Sequence, residues 1–234
     1  MNDLIGIIGA MDIEIERITN KMTDVETKVI SGIKFTKGKI NGGSAVCAVC
    51  GIGKVFAAVC AQTMILNYSP CCIINTGVAG ALSKDLKVLD TVVAQSVCQH
   101  DMDTSFLGDP PGLISGINVI NFDCNASLSE KLCHLLEKSG FPYKKGIIAS
   151  GDVFVADGDK KAYISKTFKA SACEMEGGSI GHVCYINDVP FCVLRTLSDG
   201  ADADAGMDYM TFRTVAAERS ANIIIDFISS YKNV

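Results

Sequence analysis

Apolar residues in this chain gather in short unbroken blocks more often than they alternate with polar ones. Leu4 to Gly9 is a continuous apolar run closed by glycine. Cys71 to Asn75, Thr91 to Cys98, Gly146 to Ser150 and Pro190 to Leu194 are further strand-length runs. Apolar runs of this length, bounded by turn signals, read as strands buried on both faces, the habit of parallel sheets. Between the blocks the spacing turns helical. Across Ala10 to Met22, residues Met11, Ile15 and Ile18 share one face, with Glu14 near its edge. Val55 to Tyr68 is rich in alanine and ends before Pro70, Ser127 to Lys138 forms another helix, and Asp208 to Tyr231 forms a long amphipathic one. A fifth helix is expected between Glu176 and Pro190. Lys34 to Ile40 and Ser44 to Cys50 flank Asn41-Gly42-Gly43, a strong hairpin signal.

Strands and helices thus alternate, with one hairpin early. This pattern predicts one α/β domain over residues 1–234, with a central mixed, mostly parallel β-sheet flanked by helices. Three connections stand out. Thr76-Gly77-Val78-Ala79-Gly80 reads as a tight glycine turn after a strand. Residues 104–118 form a Gly/Pro-containing loop long enough to suggest function. Gly151 to Val155 lies just beyond a strand end.

Composition narrows the function classes. The 234 residues carry a formal net charge of -5 with scattered Lys and Arg, which argues against nucleic acid as a partner. No stretch approaches the roughly 20 apolar residues of a membrane span, and acids interrupt the N-terminal apolar run, unlike a signal peptide. There are 11 cysteines, most of them inside apolar runs. This fits buried free thiols in a reducing cytoplasm better than a disulfide scaffold.

Chemistry concentrates in Ser171 to Asp199. Glu174-Met175-Glu176 opens that stretch, Arg195-Thr196-Leu197-Ser198-Asp199 closes it, and a helix and a strand lie between. Such a unit brings two strand ends to one sheet edge, where open α/β sheets bind ligands. Glu174 and Glu176 lie two apart and would face the same side. Glu14, after the first strand, is either an ordinary acid in a helix's first turn or a member of the same site. Asp199 is either part of the site or an N-cap. Gly51-Ile52-Gly53 lacks the third glycine of a dinucleotide fingerprint. The Cys47/Cys50 pair falls on opposite strand faces, and His100-Asp101-Met102-Asp103 has no partner cluster, so no metal site is expected.

Taken together and in order, IIGAMDIE, GIGKV, INTGVAG, SGDVF, EMEG and RTLSD closely resemble the nucleoside phosphorylase/nucleosidase superfamily. Within it, the 5'-methylthioadenosine/S-adenosylhomocysteine nucleosidases match best, from Ile5 to about Phe227. The resemblance implies hydrolysis of a nucleoside's N-glycosidic bond without metal or organic cofactor. Asp199 then resembles the acid that protonates adenine N7, and Glu14 the base that activates water. Glu176 resembles the acceptor for the ribose hydroxyls, and Glu174 is expected to be structural. Arg195 would place the water or steady Glu14, beside Ser198. Met175 packs against the sugar, Phe154 stacks on adenine, and Val155 reads the purine edge through its backbone. Ile52, Met11, Tyr209 and Phe212 line the space for the 5'-thio substituent, and Phe106 is lent across a homodimer interface. Val78 replaces the serine of many relatives, and the loop at 104–116 is shorter than in several. The rivals are a purine nucleoside phosphorylase, a hydrolase of a related nucleoside such as futalosine, and a non-catalytic nucleoside-binding protein.

Overall fold

A computed structural model describes residues 3–231. In chain order the elements are β1 (Ile5–Gly9), α1 (Asp12–Thr19), β2 (Thr23–Ile30), β3 (Ile33–Ile40), β4 (Gly43–Val49), α2 (Lys54–Tyr68), β5 (Cys72–Ala81) and β6 (Thr91–Gln99). They continue with β7 (Phe122–Asp123), α3 (Ala126–Ser139), β8 (Tyr143–Ser150), α4 (Gly158–Phe168), β9 (Ala170–Glu174), α5 (Gly177–Ile186), β10 (Phe191–Asp199) and α6 (Ala205–Ser230). It is a single-domain α/β fold with a mixed sheet flanked by helices.

Parallel pairings hold the middle of the sheet. β1 lies between β4 and β5, and β5 pairs with β10, all parallel. β6, β8 and β9 form a second parallel group. Antiparallel contacts join the groups, β6 to β10 and the end of β5 to β9, while β2 and β3 extend the edge beyond β4. Every residue of β5 and β10 is buried, as continuous apolar strands covered on both faces require. One apolar cluster lies under α2 and α5, with Ile8, Met64, Ile73 and Ile180. Another, with Ile7, Ile74, Leu132 and Phe227, lies under α1, α3 and α6.

Local chemistry ends the elements. Asn41 and Gly42 both adopt positive φ, the geometry of a two-residue hairpin turn. Asn125 accepts from the Leu128 amide at the start of α3, and Asp157 from Lys160 at the start of α4, both N-caps.

Two expectations change. Thr76 to Gly80 is no turn: β5 runs through it to Ala81, and the strand continues because β10 pairs with it through Arg195–Gly77, Thr196–Val78 and Leu197–Ala79. The segment Thr23 to Ile30, with no apolar block, is nevertheless a strand, almost wholly exposed and held at the edge by β3. The loop at 104–118 contains a short 3-10 turn, Ser105–Leu107, and an isolated bridge between Ile114 and Val119. Among the described residues no helix is long and apolar enough to cross a membrane.

Candidate active site

The carboxyl ends of β1, β5, β9 and β10 face one cleft, which the loops after β4 and β8 and the start of α6 complete. Glu14, Ile52, Met11, Val78, Phe154, Val155, Met175, Glu176, Arg195, Ser198, Asp199 and Tyr209 all line it. Phe212, half-buried on α6, does not line it. Phe106, expected to reach a partner's site and not its own, is fully exposed on its loop. Ala79, Gly80, Val153 and Cys173 also line the cleft; each lies in a stretch the sequence marks, but no signal picks out the individual residue.

Glu14 is buried, and its two oxygens have separate tasks. Oε2 accepts from the Ala10 and Met11 amides at 2.7 and 3.0 Å, closing the N-terminus of α1. Oε1 accepts from the Val78 amide at 3.0 Å and lies 3.9 Å from Arg195 Nη1. The first-turn acid and the site acid are therefore the same residue. Burial raises its pKa, against the opposing pull of Arg195 and the three amides. Gly77 explains itself here, because a Cβ on it would overlap Glu14 Oε1 and Arg195 Nη1.

Arg195 is the hub. Its Nη2 donates to Asn75 Oδ1 at 2.6 Å, to Glu174, and to Glu176 Oε2 at 3.3 Å; Nη1 donates to the Val78 carbonyl at 3.4 Å. Glu174 is further held by the Ser150 hydroxyl and the Glu176 and Gly177 amides, so its carboxylate serves the first turn of α5 and the guanidinium. Glu176 sits two residues beyond β9 as the cap residue of α5, and its Oε1 accepts from the Gly53 amide at 2.9 Å. Burial pushes its pKa up to about 7, with Arg195 opposing and Glu174 adding to the rise.

Asp199 ends β10, well before α6, so it caps no helix. Ser198 donates to its Oδ2 at 2.8 Å and the Ala201 amide to its Oδ1 at 2.9 Å. Burial raises its pKa; these two bonds oppose the rise, and the charges of Asp208 and Asp202 add to it. Lys161 of α4 pins the turn that follows, donating to the Gly200 carbonyl at 2.6 Å. The Glu14 and Asp199 carboxyls approach β5 at Gly77 and Gly80, positions three residues and so roughly 10 Å apart along the strand. The cleft therefore holds two buried carboxyls of raised pKa, the kind of group that acid/base chemistry uses.

On the apolar side, Phe154 and Tyr209 meet edge to face at 5.5 Å, and the Tyr209 hydroxyl lies 3.2 Å from Met11 Sδ. Asp101 is engaged by Lys54 at 2.7 Å. Among the described residues, no group of three or more His, Cys, Asp or Glu is placed to hold a metal ion.

Fold and site together define an enzyme that works on nucleosides, and the comparisons place it. The chain matches the Phosphorylase superfamily over residues 4–229 and belongs to it. It is similar to the 5'-methylthioadenosine/S-adenosylhomocysteine nucleosidase of Haemophilus influenzae, 39% identical over 226 residues, covering 96% of this chain and 97% of the relative. It is also similar to the aminodeoxyfutalosine nucleosidase of Helicobacter pylori, 38% identical over 94% of this chain and 96% of the relative. Among solved structures, the Helicobacter pylori 5'-methylthioadenosine/S-adenosylhomocysteine nucleosidase with butyl-thio-DADMe-Immucillin-A superposes with a TM-score of 0.95. Its identity is 37%, with 99% of this chain and 100% of that chain covered.

Proposed function

We propose that this enzyme hydrolyses the N-glycosidic bond of 5'-methylthioadenosine and S-adenosylhomocysteine, releasing adenine and the 5'-thioribose product. The observation that carries the reading is the charge of the cleft. Among the described residues Arg195 is the only cation lining it, and Glu174, Glu176 and Glu14 surround that guanidinium. A phosphorylase must hold a phosphate beside the anomeric carbon, and this cleft would repel one. The same surplus of negative charge favours the oxocarbenium-like cation through which glycoside cleavage passes.

In this reading Asp199 gives its proton to adenine N7, so that the base leaves neutral. Glu14 takes a proton from the attacking water, with Arg195 beside it. Glu176 accepts from the ribose hydroxyls next to Met175, Phe154 stacks on the base, and the Val155 backbone reads its edge. Ile52, Met11, Val78 and Tyr209 receive the 5'-thio group. A second copy of the chain completes the site: Phe106, Leu107 and the α2 residues Val55, Phe56 and Val59 are exposed apolar side chains of the kind a partner covers. The resemblance to aminodeoxyfutalosine nucleosidase supports a second substrate class, aminodeoxyfutalosine.

Incubation with methylthioadenosine, with and without phosphate, tests this directly. Adenine and free methylthioribose should form in both buffers, from a species with the mass of two chains. Strict phosphate dependence with a sugar 1-phosphate product would overturn it, and aminodeoxyfutalosine in the same assay decides the second class.

Glu176 gives the pH dependence of binding. Its carboxylate accepts from two ribose hydroxyls most strongly when ionised, and its pKa is raised to about 7. KM should therefore rise as pH falls through about 7. Glu176→Gln should raise KM at neutral pH and flatten that slope; an unchanged slope in the variant would assign it to another group.

A further inference from the structure

The site depends on two pieces of chain that share no element: the residue that grips the sugar, Glu176, and the loop that carries Phe154 and Val155. They meet at the N-terminus of α2. The first amides of a helix have no partner within it, and here carboxylates from two other segments take them. Gly53 donates to Glu176 Oε1 at 2.9 Å, and the next amide, Lys54, donates to Asp152 Oδ1 at 2.7 Å. The Lys54 side chain then folds over to Asp101 Oδ1 at 2.7 Å and Gln99 Oε1 at 3.2 Å. Asp101 completes a ring: its Oδ2 accepts from the Asp152 amide at 2.9 Å. The Lys54 carbonyl, in turn, accepts from Ser179 Oγ of α5 at 2.7 Å. Gly53 has φ +102, and a Cβ there would lie 2.9 Å from Asp152 Oδ1, so the approach admits only glycine.

We infer that Asp101 and Lys54 are positioning residues for the reaction, fixing the base-stacking loop against the sugar-binding carboxylate. Neither lines the cleft. Their ring reaches it through two short leads: Lys54 to Gly53 to Glu176 on one side, Asp152 to Phe154 and Val155 on the other. The ion pair is only partly exposed, with side-chain exposures of 20% and 27%, so solvent screens it less than a surface pair. The consequence is geometric. A nucleoside binds well only when its base and its hydroxyls meet their partners at the same moment, and this ring sets the spacing between them. The inference rests on reading Phe154 and Glu176 as base and sugar contacts.

Asp101→Asn tests it in the full-length protein, because Lys54 and the Asp152 amide bond to different oxygens of Asp101, and asparagine puts an NH₂ donor where one of them was. KM for methylthioadenosine should rise about tenfold while kcat stays within about threefold, the pattern of displaced binding groups with the acid and base left in place. Lys54→Met, which leaves the Asp101–Asp152 bond intact, should do the same. The double variant should be no worse than the poorer single, since both break one ring. An unchanged KM in the folded single variants, or effects that multiply in the double, would overturn the inference. Wild-type hydrolysis in the same assay tests the proposed function separately. If the wild type proves inactive, that reading fails, and the thermal shift caused by methylthioadenosine still compares binding by wild type and variants.

Discussion

Asp199→Asn should lower turnover of adenine nucleosides by at least about 100-fold, the scale of losing a general acid. The substitution removes a proton donor and little else. Asp199 is buried at the end of β10, where Ser198 and the Ala201 amide orient it. Asparagine has the same size, and rotated so that its carbonyl faces the Ala201 amide it keeps that bond. Burial raises the pKa of Asp199, so a proton stays on the acid further toward neutrality than on an exposed aspartate. The sign of the pH effect follows. The protonated form works, so turnover should fall as pH rises through that raised value, and the variant should lack this limb. Steady-state kinetics across pH checks both, and near-wild-type turnover would remove Asp199 from the acid role.

Glu14→Gln should abolish hydrolysis to a similar degree, by about 100-fold or more, while a non-hydrolysable adenosine analogue still binds. Here the active form is the ionised one. Burial raises the pKa of Glu14, which makes it a stronger base, and activity should fall as pH drops through that value. The variant also carries a structural cost. Three backbone amides, from Ala10, Met11 and Val78, point at the carboxylate, and the glutamine NH₂ must face at least one of them. A mismatched buried pair of this kind costs about 1–3 kcal/mol, so melting temperature should be measured beside activity. Calorimetric binding of the analogue with turnover at background supports the role; retained hydrolysis moves the base elsewhere.

These two side chains also show what could be read without coordinates. Asp199 and Glu176 sit in motifs whose order and spacing are legible, and the apolar blocks of β1, β6 and β8 announce buried strands. The partners of Arg195 are not legible. Asn75 lies 120 positions away and Glu14 further still, and nothing in local spacing says that one guanidinium will serve both and two glutamates as well. Glu14 shows the limit most clearly: its place in the first turn of α1 suits a cap and a site acid equally, and only the contact with Val78 shows that the capping carboxylate also lines the cleft.

Thr76 to Gly80 has the glycine spacing of a turn, because glycine in sequence signals a bend. In the fold, Gly77 and Gly80 are bare because carboxylates crowd them, and pairing with β10 keeps the chain extended. Thr23 to Ile30 escaped notice for the opposite reason: an edge strand exposed on nearly every residue needs no apolar pattern, only a neighbour with free backbone groups. Phe212 has the residue type for the 5'-substituent space but does not line the cleft: it shares a face of α6 with Tyr209, yet sits one turn further along the helix.

By itself, then, the sequence determined the α/β class, the mixed sheet and the motifs at its strand ends. Those depend on local periodicity and residue type, which each segment carries within itself. Only the tertiary structure decided which carboxylates gather at Arg195, why the glycines of β5 are needed, and how Asp101 and Lys54 join two parts of the cleft's surround. Those depend on contacts between segments about 50 to 180 positions apart, formed when strands of one sheet bring their ends together, and no local pattern records them.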